Sequence, residues 1–154
     1  MILSEILNQN SVICLPNITS KKRLFQEIAN HFSKFISVGA EPIFLGLQER
    51  EQLGPTGMGH GVAIPHAKIQ SLSKINGVFL KLEKPLNFES MDKQPVDLIF
   101  TLIAPTDHGV EHLKALAKVS RILRDQQVRV KLRSTEDNAA MYSILTQDID
   151  IEAA

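Results

Sequence analysis

Apolar residues recur along this chain with two different periods, and the switches between them mark the elements. Leu3, Ile6 and Leu7 predict a short opening helix. Val12–Leu15 predicts a strand, ended by Pro16. Ser20 can cap a helix that carries Leu24, Ile28, Phe32, Phe35 and Ile36 at helical spacing and closes at Gly39. Pro42 suits the first turn of a second helix, with Ile43, Leu47 and Arg50, reaching about Leu53. A glycine-rich loop follows. Val62–Ile64 predicts a short strand and Gly77–Leu82 another. Val96–Ala104 is a nearly unbroken apolar run between Pro95 and Pro105, the pattern of a central strand covered on both faces.

After Pro105 the helical period returns. Leu113, Leu116, Ala117, Ser120 and Leu123 or Arg124 form one stripe on a helix from about Val110 to Arg124. Val128–Leu132 fits a strand or a helix. Thr135 can cap a last helix, Glu136–Leu145. Interleaved helices and strands predict an α/β fold: a single layered domain over residues 1–154, a mixed β-sheet flanked by helices. The core spans about 3–145 and a flexible tail is expected over 146–154. The strand order stays open.

Composition changes this picture little. Of 154 residues, 44% are hydrophobic and 22% charged, with 17 Lys+Arg against 17 Asp+Glu. That balance gives no reason to expect nucleic acid or an anionic membrane as a partner. The start, Met1–Leu7, lacks a basic segment and an unbroken apolar run, so no secretory signal is read there. No stretch approaches the roughly 20 apolar residues of a membrane span, so no membrane insertion is expected. The single cysteine, Cys14, rules out an internal disulfide and fits a reducing, cytoplasmic setting. Within Val12–Leu15 it reads as a buried small hydrophobe. A weak homodimer is compatible with such a surface.

Candidate chemistry collects in three places. In Gly57-Met58-Gly59-His60-Gly61-Val62-Ala63-Ile64-Pro65-His66, a glycine-rich loop runs into a short strand. Ile64, before a proline, is pushed towards extended geometry. Pro65 cannot donate to a ladder, so pairing is expected to end there. His66 then lies at a strand terminus, on the side of Val62 and Ile64. Histidine changes charge near neutral pH and serves as a nucleophile, so the stretch suggests a phosphohistidine site. His112 falls in the first turn of the helix after the central strand, where one ring nitrogen can donate to phosphate. Arg50, late in the helix before the loop, has the planar fork that matches phosphate. Taken singly, each residue is more often an ordinary packed or solvated side chain.

Two other motifs are set aside. A dinucleotide-binding glycine loop follows a strand and opens a helix, whereas this one follows a helix and opens a strand. His108-Gly109-Val110-Glu111-His112 fits the His-x-x-Glu-His pattern of zinc proteases. That motif needs a stable helix under both histidines. Gly109 and the Pro105-Thr106-Asp107 lead-in start the helix inside it, so no metal site is expected.

With Arg50, His66 and His112 together, the chain resembles the IIA component of the phosphoenolpyruvate-dependent phosphotransferase system, fructose/mannitol family, and most closely its nitrogen-regulatory members. The resemblance runs from Leu3 to about Leu145. It is carried by Thr56–His66, by Arg50-Glu51, by Phe88–Leu98 and by Glu111-His112-Leu113. Pro55 departs from it, standing where the family usually has serine. The resemblance implies a mannitol-type IIA fold and a phosphotransferase with a phosphohistidine intermediate. His66 would accept a phosphoryl group from a histidine phosphocarrier protein. His112 would hydrogen-bond the phosphoryl oxygens and Arg50 would supply positive charge. Thr56, Gly57, Gly59 and Gly61 would form a phosphate loop. No cofactor is implied, because the donor already carries an activated phosphoryl group. Downstream it implies a regulatory target protein, or a IIB domain if the protein serves sugar uptake. A binding-only regulator is the third alternative. His60 and His108 receive no role.

Overall fold

A computed structural model describes residues 2–147 of the chain; all but the first two residues of the expected flexible tail, 146–154, lie outside the described residues. After two short 3-10 turns, Leu3–Glu5 and Gln9–Ser11, the elements are β1 (Val12–Leu15), α1 (Lys21–Ser33), α2 (Ala40–Leu53), β2 (Gly57–Gly59), β3 (Val62–Ala63), β4 (His66–Ile69), β5 (Asn76–Leu86), β6 (Val96–Pro105), α3 (Gly109–Arg124), α4 (Gln126–Arg133) and α5 (Asn138–Leu145). The expected mixed sheet with flanking helices is present. Its strand order is β1-β5-β6-β3-β2, with β4 also on β6. β5 runs antiparallel to β6; β1 is parallel to β5, and β3 and β4 are parallel to β6.

Strand β6 is the spine, buried along nearly its whole length because helices cover both faces. On one face Leu98, Phe100 and Leu102 meet Phe79, Ala115, Val119 and Ile122 under α3, α4 and α5. On the other, Ile99 and Ile103 meet Val78, Leu80, Leu24, Phe32 and Leu47 under α1 and α2. The Ser20 hydroxyl caps α1 by accepting the Arg23 N–H at 3.1 Å.

The differences from expectation cluster where glycine, proline and polar residues interrupt the pattern. The opening helix is only a 3-10 turn. α1 ends at Ser33, so Phe35 falls past the helix and stays partly exposed, and Gly39 opens α2 as its N-cap instead of closing α1. The ambiguous 128–132 segment is helical, within α4. The last helix is capped by Asp137, whose carboxylate accepts from the Ala139 N–H, while Thr135 accepts from Asp137 N–H. Cys14 is exposed, since β1 is an edge strand and only Val12 of its four residues is fully covered.

Two corrections bear on the site. The glycine-rich segment is a hairpin: Gly57–Gly59 is itself a strand, paired antiparallel to β3. Pairing also does not end at Pro65. β3 and β4 run beside successive lengths of β6 in unchanged register, Val62 opposite Leu98 and His66 opposite Leu102. Pro65 interrupts that edge without closing it, and its carbonyl accepts the Leu102 N–H at 3.1 Å.

Candidate functional site

His66 opens β4, and the strand alternation puts it on the α3 side, as Val62 and Ile64 are. Its Nδ1 lies 2.8 Å from the Ile64 carbonyl oxygen. A carbonyl only accepts, so Nδ1 carries the hydrogen and Nε2 keeps its lone pair. Burial pushes the His66 pKa down; the hydrogen bond to the Ile64 carbonyl is the main opposing pull, and Arg50 adds a smaller downward push and Glu51 a smaller upward one.

His112 sits one turn into α3, and its ring meets that of His66 edge to face, centroids 5.6 Å apart and planes at 77°. It is buried, and its Nε2 has no hydrogen-bond partner among the described residues. An orphaned buried nitrogen costs stability unless something occupies it. Burial, then the nearby His66 and Lys68, push the His112 pKa down to about 4. Both rings are neutral at pH 7.

Arg50, in the last turn of α2, is half-buried and donates from Nη1 to the Gly54 carbonyl at 3.0 Å. It lines, with His66 and His112, an open cleft of about 730 Å³ between α2, β4 and α3. A smaller recess of about 280 Å³ shares Arg50 and His66 and is walled by Pro55, Thr56, Gly57 and Met58. Arg50, His66 and His112 are thus brought together.

The four loop residues divide. Thr56 and Gly57 border the recess beside His66, but the Thr56 hydroxyl is already committed, donating to Glu51 Oε1 at 2.6 Å. A Cβ on Gly57 would run into the Ser90 hydroxyl, so close packing explains that glycine. Gly59 and Gly61 are at the far end of the hairpin, near the start of β6, and line neither cavity. They belong to a latch. The His60 N–H donates to Asp92 at 3.0 Å, and the His60 carbonyl accepts from Arg133 Nη2 at 2.6 Å. Arg133 also forks onto Asp97 at 2.8 Å. Gly61 holds φ +78 under that guanidinium. The structure thus places Thr56 and Gly57 beside His66 and leaves Gly59 and Gly61 at the other end of the hairpin.

His108 and His112 do not act together. His108 precedes α3 and pairs with Asp107 at 2.8 Å, while His112 turns to His66. Among the described residues no group of three metal-ligating side chains converges. No helix among them is long and apolar enough to cross a membrane.

The buried residues of α3 are His112, Ala115, Lys118, Val119, Ile122 and Leu123, a stripe rotated from the expected one, which shares Leu123 with it. Leu113 is consequently 68% exposed and Val110 64% exposed, and with Leu53 they rim the cleft. Lys68, two residues past His66 and so on the same strand face, also lines it. Strand parity alone would have found Lys68; the rim needed the helix orientation.

Comparisons with known proteins bear on the family and the fold. The family model described as phosphoenolpyruvate-dependent sugar phosphotransferase system, EIIA 2, matches residues 5–148. A nitrogen regulatory protein of Bradyrhizobium diazoefficiens is 43% identical over 145 residues, covering 94% of this chain and 95% of that protein. The crystal structure of nitrogen regulatory protein IIA-Ntr from Neisseria meningitidis superposes with TM-score 0.88 at 34% identity, over 94% of this chain and 99% of that one. The crystal structure of IIA mannitol from Escherichia coli shares the fold at TM-score 0.74 and 19% identity, over 90% of this chain and 97% of that one.

Proposed function

This chain belongs to the EIIA 2 family of the phosphoenolpyruvate-dependent sugar phosphotransferase system, and we propose that it takes a phosphoryl group from a histidine phosphocarrier protein onto His66 and regulates a target protein by its phosphorylation state. The observation that carries this reading is the His66–His112 pair: one neutral ring with a free Nε2 lone pair, facing a second whose Nε2 is buried and unpartnered.

The whole chain acts as one IIA domain. The bond from phosphorus to the donor imidazole breaks as the bond to His66 Nε2 forms. Phosphoryl transfer depends on in-line positioning and on taking up charge at the equatorial oxygens. The Ile64 carbonyl fixes the ring by holding Nδ1–H. His112, in the tautomer with hydrogen on Nε2, donates to a phosphoryl oxygen and so fills its vacant partner position. Arg50 supplies positive charge across the cleft, and Lys68 adds to it.

The apolar rim of Leu53, Val110 and Leu113 suits a protein donor, since an open cleft with exposed leucines is what a second protein surface covers. A regulatory output is favoured over sugar transfer by the nitrogen-regulatory relative, which is 43% identical over 94% of this chain.

The test is the intact mass of the protein after incubation with phosphoenolpyruvate, the first enzyme of the system and the carrier, with His66→Ala in parallel. One acid-labile phosphate on the wild type alone is expected. Phosphate retained on His66→Ala would remove His66 from its role. No phosphate on either, with the carrier shown to be charged, would leave a binding-only regulator.

A further inference from the structure

One unbroken series of hydrogen bonds connects the start of α1 to the ring of His66. The Lys21 ammonium lies 2.9 Å from Glu51 Oε2. Glu51, in the last turn of α2, has a side chain only 7% exposed, and its two oxygens receive three hydrogens. The Thr56 hydroxyl donates to Oε1 at 2.6 Å and the Thr56 N–H to Oε2 at 3.0 Å, beside the lysine. The Thr56 carbonyl then accepts the Ile64 N–H at 3.1 Å. The Ile64 carbonyl accepts from His66 Nδ1 at 2.8 Å.

The geometry points to Glu51 as a positioning residue for the acceptor histidine, acting through Thr56 and Ile64 on the tautomer and aim of the His66 ring. The inference rests on the reading of His66 as that acceptor.

The turn from Glu51 to Thr56 contains Gly54, which has no side chain, and Pro55, which has no N–H, so it has little means of holding itself. Arg50 ties Gly54, and the Glu51 carboxylate ties Thr56. Both Thr56 donors lie in a place where only 7% of the residue is exposed, so water cannot replace the carboxylate without cost. A hydroxyl on a carboxylate at 2.6 Å is a strong, charge-assisted contact. The carboxylate is itself held: Lys21 sits over the Phe88 ring, 4.8 Å from its centroid, and so cannot follow a moving Glu51 far. What reaches His66 is therefore a position, carried by peptide groups across one strand pair. A shift of the Ile64 carbonyl releases Nδ1–H and frees the ring to exchange tautomers, which puts hydrogen on the nitrogen that must attack.

The experiment reads the ring and the reaction separately. Long-range 1H–15N NMR of the full chain reports the His66 tautomer, and timed intact-mass measurement with charged carrier reports phosphate uptake. Wild type, Glu51→Gln, Thr56→Val and Thr56→Ser are compared. Glu51→Gln and Thr56→Val are expected to lower the Nδ1–H population and to slow uptake about tenfold to a hundredfold, the scale of a misplacement near 1 Å. Thr56→Ser, which keeps the hydroxyl, should recover most of what Thr56→Val loses. An unchanged tautomer in folded Glu51→Gln and Thr56→Val overturns the inference, whatever the rates. If Glu51→Gln does not fold, Thr56→Val alone decides. If wild type takes up no phosphate, the acceptor reading fails, while the tautomer comparison still decides the role of Glu51.

Discussion

The rings of His66 and His112 stand edge to face with centroids 5.6 Å apart, one bonded through Nδ1 to the Ile64 carbonyl and the other with a buried, unpartnered Nε2. The asymmetry assigns different work to two residues of the same type. His66 is oriented and exposes a lone pair; His112 is buried, and in the proposed transfer it is the hydrogen donor.

Replacing His112 with alanine should therefore slow phosphate uptake about a hundredfold, the usual worth of one preorganised donor to a transferring group. The site of phosphorylation should not move. Quenched-flow mass measurement gives the rate, and peptide mapping at neutral to alkaline pH gives the position. An unchanged rate would reduce His112 to packing.

Arg50→Lys keeps a cation but loses the fork and the bond to the Gly54 carbonyl. Uptake should fall about tenfold, with little change in stability, because the side chain is only half-buried. Comparable rates for Arg50→Lys and Arg50→Ala would show that geometry matters more than charge; a wild-type rate in both would exclude Arg50 from the transfer.

The histidine pair also predicts how stability responds to acid. In the folded protein the His112 pKa is pushed down to about 4, while an unfolded histidine titrates at about 6.5. Between those values the unfolded chain binds a proton that the folded one refuses, so stability falls as pH drops from about 6.5 to about 4. The contribution is about 3 kcal/mol at its limit, and above pH 6.5 it is flat. His66 and His31, both lowered mainly by burial, act in the same direction. Urea denaturation at a series of pH values should show this slope, and His112→Phe should flatten it. An equal slope in that variant would place the acid sensitivity elsewhere.

Leu113→Asp tests the rim. The side chain is exposed, so the midpoint of unfolding should move by less than about 0.5 kcal/mol. Uptake from the carrier should weaken through KM, not kcat, because the substitution is made on a docking surface. A change confined to kcat would contradict that assignment.

Much of the architecture is legible in local pattern. Val96–Ala104 shows as a central strand because both faces are apolar, and α1 and α2 show because their buried residues repeat at three and four. The motif around His66, with Arg50 and His112, is legible because each sits at the end of a periodic segment. What local pattern misreads has specific causes. β2 is hidden because glycines carry no strand preference, and β4 because Pro65 looks like a terminus. The buried face of α3 is misjudged because two rules invert at the site: His112 and Lys118 point inward while Val110 and Leu113 point outward. The bonds of Glu51 to Lys21 and of Arg133 to His60 and Asp97 are invisible for another reason: these partners lie 30 to 73 residues away.

The shared register of β3 and β4 along β6 has one further consequence. Side chains alternate across a sheet, so a strand shifted by one residue exchanges its two faces. Deleting a single residue between Val62 and His66, with the hairpin latched to Asp92 and Arg133, would carry the imidazole through the sheet to the layer of α1 and α2. His112 would remain behind on the other side. The count of residues between the latch and the histidine is thus as binding a specification as the histidine itself.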